Sequence, residues 1–273
     1  MILRLLYTDR HNAFYNMGLD EAIFESVKRA YVPSTLRFYG FLPPAITIGY
    51  LQAVDEIDLE LCKREGVDVT RRITGGRAVF HNGDLTYSLV TSVNDPLFGG
   101  SIFNTYRAIS NIFAAALNSV GVQAAVVKVT PNKKRTSLCF NSTSRYELTV
   151  CGKKIFGSAQ RREGNYIFGQ GSLLLFPPKF KVSQFLLSDS EEPSSIYSLC
   201  GKKINVREFI NIVIEELKKF GVEVNEGEVT FVEEEKAKEF KQKYASNKWV
   251  NYLTRENSCS IIKRRFVNKI RRC

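Results

Sequence analysis

The sequence predicts an α+β domain in which helices flank a mixed, mostly antiparallel sheet. Hydrophobic residues make up 44% of the 273-residue chain, which is enough to bury a sizeable core. Helical and strand patterns alternate without the regular β-α-β rhythm of a parallel sheet. No internal repeat is visible. We therefore expect one large domain, with room for a small appendage.

Five helices are predicted from apolar residues that recur at helical spacing. The clearest begins at Ser101 and places Phe113 and other apolar residues on one face. Gly66, Gly121 and Gly221 end three of the helices. The predicted helices are Asn16–Lys28, Leu59–Glu65, Ser101–Ser119, Val206–Phe220 and Glu233–Tyr244.

Short β-rich runs between turn residues predict the strands. Pro43-Pro44 forces extended backbone and a change of direction between the first two runs. Asn82-Gly83-Asp84 and Cys151-Gly152-Lys153 are hairpin turns, and Pro177-Pro178 ends a later strand. The predicted strands are Leu36–Tyr39, Ala45–Tyr50, Asp68–Arg72, Ala78–His81, Leu85–Val93, Val122–Val129, Tyr146–Val150, Lys154–Gly157, Gly171–Phe176 and Glu228–Val232.

A formal net charge of +11 is compatible with a nucleic acid, a membrane surface or an acidic protein as partner. Part of the excess lies in the C-terminal tail, at Lys263, Arg264, Arg265, Lys269, Arg271 and Arg272. The rest is spread along the chain without an RNA-binding signature, which favours an acidic protein partner, or no specific partner, over a nucleic acid. No signal peptide and no run of 18 apolar residues is present, so we expect a soluble, cytoplasmic protein with no membrane partner.

Six cysteines are scattered without a C-x-x-C pair, and only two histidines are present to supplement them. The pattern predicts neither a zinc site nor a disulfide framework. In a reducing compartment, a functional thiol must therefore be distinguished by its surroundings. The six are Cys62, Cys139, Cys151, Cys200, Cys259 and Cys273.

The most informative stretch is Arg71-Arg72-Ile73-Thr74-Gly75-Gly76-Arg77-Ala78-Val79-Phe80-His81. Its two glycines allow close approach of the backbone to a ligand, while Arg72 and Arg77 offer positive charge and Thr74 a hydroxyl. It lacks the sequence of a phosphate-binding loop or a dinucleotide fold. Taken alone, the stretch is equally typical of a tight turn with solvated arginines.

The same stretch resembles the R-R-x-[ST]-G-G-[GR]-A-V-x-H motif of the lipoate–protein ligase and octanoyltransferase family, which is related to biotin protein ligases. Residues 13–22, 37–52, 153–160 and 171–175 agree with further family elements in order and spacing. The resemblance implies a class II biotin/lipoate ligase-like catalytic domain over residues 1–250, followed by a basic tail over 251–273. The substrate-binding residues that it implies are Arg72, Thr74, Gly75, Gly76, Arg77, Ala78, Val79, His81, Gly157, Ser158 and Ala159, with His81 lining an acyl tunnel or orienting the loop.

A second stretch, residues 137–148, resembles the C-F-x-x-x-S-x-Y-E-L segment of the cysteine-dependent octanoyltransferases. This resemblance implies that Cys139 forms an acyl-enzyme, although a cysteine flanked by Leu138 and Phe140 is usually a small buried hydrophobe. A thiolate needs a nearby cation at neutral pH. The hairpin at Gly152 brings Lys154 back beside the strand that follows Cys139, so Lys154 is the candidate to lower the pKa of Cys139 and, by the resemblance, to contact the acyl carbonyl.

The resemblance implies an octanoyltransferase. Cys139 would attack an octanoyl thioester on acyl carrier protein, and a lysine of a lipoyl domain, foremost that of the glycine-cleavage H protein, would then take the acyl group. No metal or nucleotide is required.

One alternative is a lipoate–protein ligase that uses ATP and Mg²⁺ to form lipoyl-adenylate. Another is a biotin-type module that binds nucleic acid, for which a helix-turn-helix is expected and none is evident. Gln170 departs from the family, in which a histidine is usual, and this bears on acceptor docking or substrate preference.

Overall fold

The computed structural model describes residues 1–128, 146–187 and 191–252, so Cys139 and the tail after Tyr252 lie outside the described residues. The strands are Ile2–His11 (β1), Thr35–Phe41 (β2), Ala45–Ile48 (β3), Asp68–Arg71 (β4), Val79–His81 (β5), Asp84–Ser92 (β6), Ala124–Lys128 (β7), Tyr146–Val150 (β8), Lys153–Lys154 (β9), Phe156–Glu163 (β10), Tyr166–Leu174 (β11) and Glu223–Glu226 (β12). The helices are Ala13–Lys28 (α1), Leu59–Arg64 (α2), Ile102–Ser119 (α3), Ile196–Cys200 (α4), Val206–Lys219 (α5), Phe231–Ala245 (α6) and Asn247–Val250 (α7).

A six-stranded sheet in the order β10-β11-β6-β2-β1-β12 forms the centre of the molecule. Its first four strands are antiparallel neighbours, whereas β1 runs parallel to both β2 and β12. Two three-stranded sheets, β4-β3-β5 and β7-β8-β9, accompany it. This mixed, mostly antiparallel arrangement confirms the predicted α+β fold.

The two faces of the central sheet bury different helices. Successive residues of a strand point to opposite faces, so Phe38 and Tyr39 of β2 belong to different cores. Phe38 packs in the core that contains Phe113 of α3 and Phe209 of α5. Tyr39 packs in the core formed by α1 and α6. A third core lies around the β4-β3-β5 sheet.

Helices α1 and α6 approach each other at backbone distance. A Cβ atom placed on Gly18 would lie 2.8 Å from the carbonyl oxygen of Ala237, so the contact depends on this glycine. The buried Arg4–Glu233 ion pair, at 2.6 Å, joins β1 to the first turn of α6. The C-terminal helices are thus part of the layer that covers the sheet.

The predicted strand Glu228–Val232 is wrong. Thr230 is instead the N-cap of α6, and its hydroxyl and the Glu233 carboxylate form a complete capping box. The β-branched residues of this stretch resemble a strand, but the capping pair sets the helix start. The strand of this region is β12, which starts five residues earlier, and β1 was not predicted. Other predicted elements agree within a few residues, except that β10 and β11 form one long hairpin.

Within the described ranges, no helix is long and apolar enough to cross a membrane.

Candidate functional site

A pocket with about 340 Å³ of empty space lies between the central sheet and the β4-β3-β5 sheet, beside α1. Its wall is mostly apolar, with hydroxyl, amide, imidazole and guanidinium groups along one side. It is lined by Met17, Tyr39, Phe41, Thr47, Arg72, Val79, His81, Thr86, Gly157, Ser158, Ala159, Gln170, Gly171 and Ser172.

The strand register explains which side chains share the pocket wall. Ser172 of β11 pairs with Thr86 of β6 on one side and with Gly157 of β10 on the other. Gln170 lies two residues along β11, and therefore on the same face. Gly171 lies between them, and a Cβ atom there would overlap the ring of Tyr87. Glycine is thus required for the strands to approach behind the pocket.

The predicted substrate-binding residues occupy two places. Six of them line the pocket, namely Arg72, Val79, His81, Gly157, Ser158 and Ala159. The other five, Thr74, Gly75, Gly76, Arg77 and Ala78, form the loop beside it, which we call the glycine loop. Ala78 is buried in the third core, and Arg77 is paired with Glu56 at 3.5 Å. The structure therefore brings both stretches of the motif, 72–81 and 157–159, to one site.

Arg72 is buried and uses its guanidinium to hold the glycine loop. Its nitrogens donate to the carbonyl oxygens of Thr47, Gly75 and Arg77 at 2.7, 2.6 and 2.8 Å. They also donate to the hydroxyls of Thr47 and Thr74. The arginine that was predicted to offer charge to a ligand thus also organises the turn around itself, because its planar fork matches several acceptors at once.

One hydrogen-bonded arm runs from Arg72 to a buried carboxylate on α1. The hydroxyl of Thr74 donates to Oε1 of Gln170 at 2.8 Å, and Nε2 of Gln170 donates to Asp20 at 2.6 Å. Asp20 also accepts from Arg37, Tyr39 and Ser88 at 2.6–2.7 Å. Burial, followed by the charge of Asp20, raises the pKa of Tyr39 well above its ordinary value, so this hydroxyl remains a donor.

A second arm runs from Arg72 to Asp84. The hydroxyl of Thr47, which accepts from Arg72, lies 2.9 Å from Nε2 of His81, and Nδ1 of His81 lies 2.8 Å from Asp84. Thr86 and Ser172 donate to the same oxygen of Asp84. Burial alone would raise the pKa of Asp84, but the nearby His81 and these hydrogen bonds outweigh it and lower the pKa below its ordinary value. We call the connected set of Asp20, Gln170, Thr74, Arg72, Thr47, His81 and Asp84 the polar belt.

The glycine loop lies directly against the segment that follows β3. A Cβ atom on Gly49 would overlap the carbonyl group of Gly76, and the backbone N–H of Tyr50 donates to the carbonyl of Thr74 at 2.9 Å. Gly76 has a φ of +87°, a conformation that favours glycine. By contrast, nothing lies within 4 Å of a Cβ atom on Gly75. The loop is therefore held on one side and borders open space on the other.

Arg71, next to Arg72, faces a different part of the molecule. Its guanidinium donates to the carbonyl oxygens of Gly49 and Gln52 at 2.9 and 2.6 Å, and to those of Trp249 and Val250 at the end of α7. Burial lowers the pKa of Arg71 to about 10, which leaves the side chain protonated at neutral pH. It joins the C-terminal helices to the segment under the glycine loop.

Lys154 lies at the hairpin that precedes β10. It pairs with Thr149 of β8, the strand that follows Cys139 in sequence, as the hairpin pattern predicted. Its ammonium contacts a carboxylate oxygen of Glu147 at 3.0 Å, and both side chains are about nine-tenths buried. Cys139 itself lies outside the described residues, so its role as nucleophile stays a prediction.

The cysteines that the structure describes do not line the pocket. Cys62 is buried in the third core, and burial raises its pKa to about 12, so it remains a neutral thiol. Cys151 and Cys200 are exposed, as was expected for Cys151 at a hairpin tip. Among the described residues, no cluster of three or more histidine, cysteine or acidic side chains could hold a metal ion.

Sequence reasoning missed the two carboxylates that anchor the polar belt. Asp20 lies on the face of α1 that also carries Met17 and Phe24, and a carboxylate on a buried apolar face is a detectable signal. Asp84 follows Asn82-Gly83, where it was interpreted as a turn residue. Nothing local indicates that it contacts Ser172, which lies 88 residues later.

Comparison with known proteins gives a consistent result. Residues 12–222 match the family model described as the lipoyl protein ligase A/B catalytic domain. The octanoyltransferase LipM of Clostridioides difficile is 34% identical over 263 residues, which cover 90% of this chain and 97% of that protein. The octanoyltransferase LipM of Moorella thermoacetica is 35% identical over 269 residues, with 90% and 97% covered.

Solved structures share the fold. Lipoate-protein ligase A bound with ATP has a TM-score of 0.76 at 25% identity and covers 92% of this chain and 99% of its own. A bi-partite lipoate protein ligase from Thermoplasma acidophilum, studied with its E2 lipoyl domain, has a TM-score of 0.75 at 23% identity, with 93% and 98% covered. The second likeness concerns the fold alone.

Proposed function

The chain belongs to the lipoyl protein ligase A/B catalytic domain family, and we propose that it moves an octanoyl group from acyl carrier protein to a lysine of a lipoyl-domain protein through a thioester on Cys139. Membership of this family and the octanoyltransferase relatives along nearly its whole length make it an acyltransferase of protein lipoylation. The donor, the acceptor and the covalent step are the proposed parts.

The pocket is the observation that best supports the proposed function. Its apolar wall, with Met17, Phe41 and Val79, suits an unbranched alkyl chain, and Gly157–Ala159 form part of its rim. Lys154 lies in β9, three residues before Gly157, so a cation precedes the strand that borders the pocket. An acyl chain held here with its carbonyl toward this end would meet an ammonium, which stabilises the oxyanion of an acyl-transfer intermediate.

The chemistry needs two acyl-transfer steps. The thiolate of Cys139 attacks the carbonyl carbon of the donor thioester; a new C–S bond forms, the bond to the carrier's sulfur breaks, and the carrier leaves as a thiol after taking a proton. The uncharged amine of the acceptor lysine then attacks the acyl-enzyme. A C–N bond forms, and Cys139 is released as a thiol. No redox step occurs, and the scheme needs neither a metal nor a nucleotide.

The paired ammonium of Lys154 favours the thiolate. A free cysteine with a pKa near 8.5 is mostly protonated at neutral pH, and a nearby cation lowers that value. Glu147 holds the ammonium in place, at 3.0 Å.

The partners that we propose are acidic proteins. Acyl carrier protein is the donor, and the glycine-cleavage H protein is the foremost acceptor. Complementary charge raises the rate of encounter more than the final affinity. The net charge of +11 gives this chain the sign that such steering requires.

The test is transfer to an apo lipoyl domain, followed by mass spectrometry of the acceptor. We expect octanoylation from octanoyl carrier protein without ATP. Modification that requires free lipoate or octanoate together with ATP and Mg²⁺ would overturn the proposal and favour a ligase, the activity named for the similar structure bound with ATP.

A further inference from the structure

Gln170 joins the central sheet to the glycine loop through both ends of its amide. Oε1 accepts from the hydroxyl of Thr74 at 2.8 Å, and Nε2 donates to Asp20 at 2.6 Å. One end of the amide only accepts and the other only donates, so a flipped amide would turn its oxygen toward the Asp20 carboxylate and lose that bond. The side chain is buried and lines the pocket. Its orientation is therefore fixed by its two partners.

The Asp20 end of this connection is rigid. Asp20 is 1% exposed and accepts from Arg37 and Tyr39 of β2 and from Ser88 of β6, in addition to Gln170. These donors come from two adjacent strands, whereas Asp20 belongs to α1. The carboxylate thus ties α1 to the sheet and gives Gln170 an immobile anchor.

The Thr74 end of the connection reaches the part of the glycine loop that borders open space. Thr74 is buried and precedes Gly75, around which a Cβ atom would meet nothing within 4 Å. Arg72 holds the carbonyls of Gly75 and Arg77, but these bonds fix the loop only relative to Arg72. The bond from Thr74 to Gln170 fixes the loop relative to the central sheet, which carries the Gly157–Ala159 rim.

We propose that Gln170 is a positioning residue for acyl transfer. Its amide links Thr74 to Asp20 and so sets the distance between the glycine loop and the pocket rim formed by Gly157–Ala159. The inference rests on the proposed function. It predicts that a side chain of similar size without the amide lowers turnover more than it weakens substrate binding, since a misplaced loop affects the transition state most.

The first experiment compares Gln170→Leu with Ser88→Ala in the octanoylation assay. Both changes remove one donor from Asp20, but only the first disconnects the glycine loop. We expect Gln170→Leu to lower kcat by roughly ten- to hundred-fold with a change in KM of less than about three-fold, and Ser88→Ala to retain both constants. Thermal melting of both variants reports the folded fraction used to normalise kcat.

The second experiment uses Thr74. If Gln170 acts through this hydroxyl, Thr74→Val should lower kcat by a similar factor. The double variant with Gln170→Leu and Thr74→Val should then have a kcat no lower than that of the less active single variant. Thr74→Ser keeps the hydroxyl and should lower kcat less than Thr74→Val does. Fully additive losses would show that Gln170 does not act through Thr74.

The third experiment gives a signature that a structural role alone would not produce. A neutral histidine has one donor and one acceptor, as the amide does, whereas a protonated histidine has two donors and cannot accept from Thr74. Gln170→His should therefore recover turnover above the pKa of the introduced imidazole and lose it below, an inflection that the wild-type profile lacks. The titratable groups that face this position are Asp20 from α1, Arg37 and Tyr39 from β2, Arg72 beside the glycine loop and His81 from β5, and all are shared with the wild type.

The outcomes separate the two proposals. If the wild-type enzyme does not transfer octanoyl groups from the thioester, the proposed function fails. If the wild type transfers them and Gln170→Leu keeps its kcat and KM, or if Gln170→His gives the wild-type pH profile, only the role of Gln170 is overturned.

Discussion

Two basic residues, Arg72 of the polar belt, which lines the pocket, and Lys154 of the β8–β9 hairpin, have different surroundings. Arg72 donates to backbone carbonyls and hydroxyls of its own loop, and both arms that leave it end at buried carboxylates. The ammonium of Lys154 lies 3.0 Å from a carboxylate oxygen of Glu147. A planar guanidinium organises several acceptors, whereas a compact ammonium acts as a point charge that can respond to a reacting group. We therefore propose that the belt positions the glycine loop and that the hairpin takes part in the chemistry.

The largest expected effect concerns the nucleophile that the hairpin is proposed to serve. Cys139→Ala should reduce octanoyl transfer to background, by at least roughly 1,000-fold, because none of the cysteines that the structure describes lines the pocket and could replace it. Cys62→Ala and Cys151→Ala are the matched controls and should retain turnover. Transfer near the wild-type rate by Cys139→Ala would assign the hairpin a role in substrate binding alone.

The next effect concerns Lys154. Lys154→Gln should lower transfer by roughly 100-fold and move the pH profile of Cys139 alkylation by iodoacetamide to higher pH, because the thiolate loses its cation. Lys153, the exposed neighbour on β9, provides the control, and Lys153→Gln should leave both properties unchanged. The other five cysteines are removed for the alkylation measurement. Superimposable profiles would show that Lys154 does not tune the thiol.

In the polar belt, the expected loss is mainly one of stability. Asp84→Asn should lower the free energy of unfolding by about 2–3 kcal/mol at neutral pH, since a buried charged acceptor of three hydrogen bonds is lost. The pKa of Asp84 is lowered in the folded state, so its stabilisation is present above the unfolded-state pKa and is lost as pH falls through the folded value. Urea titrations should therefore show a difference from wild type that is constant near neutrality and shrinks below about pH 4. A difference that grows with acidity would contradict this sign.

The smallest effect is expected from the tail. Deleting residues 263–273 removes six basic side chains and should raise the apparent KM for carrier protein by a few-fold and flatten its dependence on salt, with kcat little changed. The structure does not describe this segment, so the expectation depends on charge alone. An unchanged salt profile would mean that the tail does not steer the donor.

The location of residues that lie close together in a sequence motif could be predicted from the sequence. Arg72, His81 and Gly157–Ala159 were expected at one site, and all line the pocket. Local spacing also predicted that Lys154 folds back onto the strand after Cys139. Such features depend on short turns, and the residue types of a short turn indicate its geometry directly in the sequence.

The polar belt could not be predicted in the same way. Asp20 and Gln170 are 150 residues apart, and their contact depends on the register of β11 against β6 and on the packing of α1 over both. Strand β1 was missed because its register is set by the parallel partners β2 and β12, neither of which is joined to it by a tight turn. The Glu228–Val232 strand failed because a capping pair outweighed β-propensity.

Intact-mass analysis of the purified enzyme after brief mixing with octanoyl carrier protein, with no acceptor and no ATP, tests the central claim most directly. We predict that the wild-type mass increases by one octanoyl group, that hydroxylamine at neutral pH removes the group as expected for a thioester, and that Cys139→Ala shows no increase. An unmodified wild-type enzyme that nevertheless transfers the group when acceptor is added, or an equal increase in Cys139→Ala, would contradict the covalent role of Cys139.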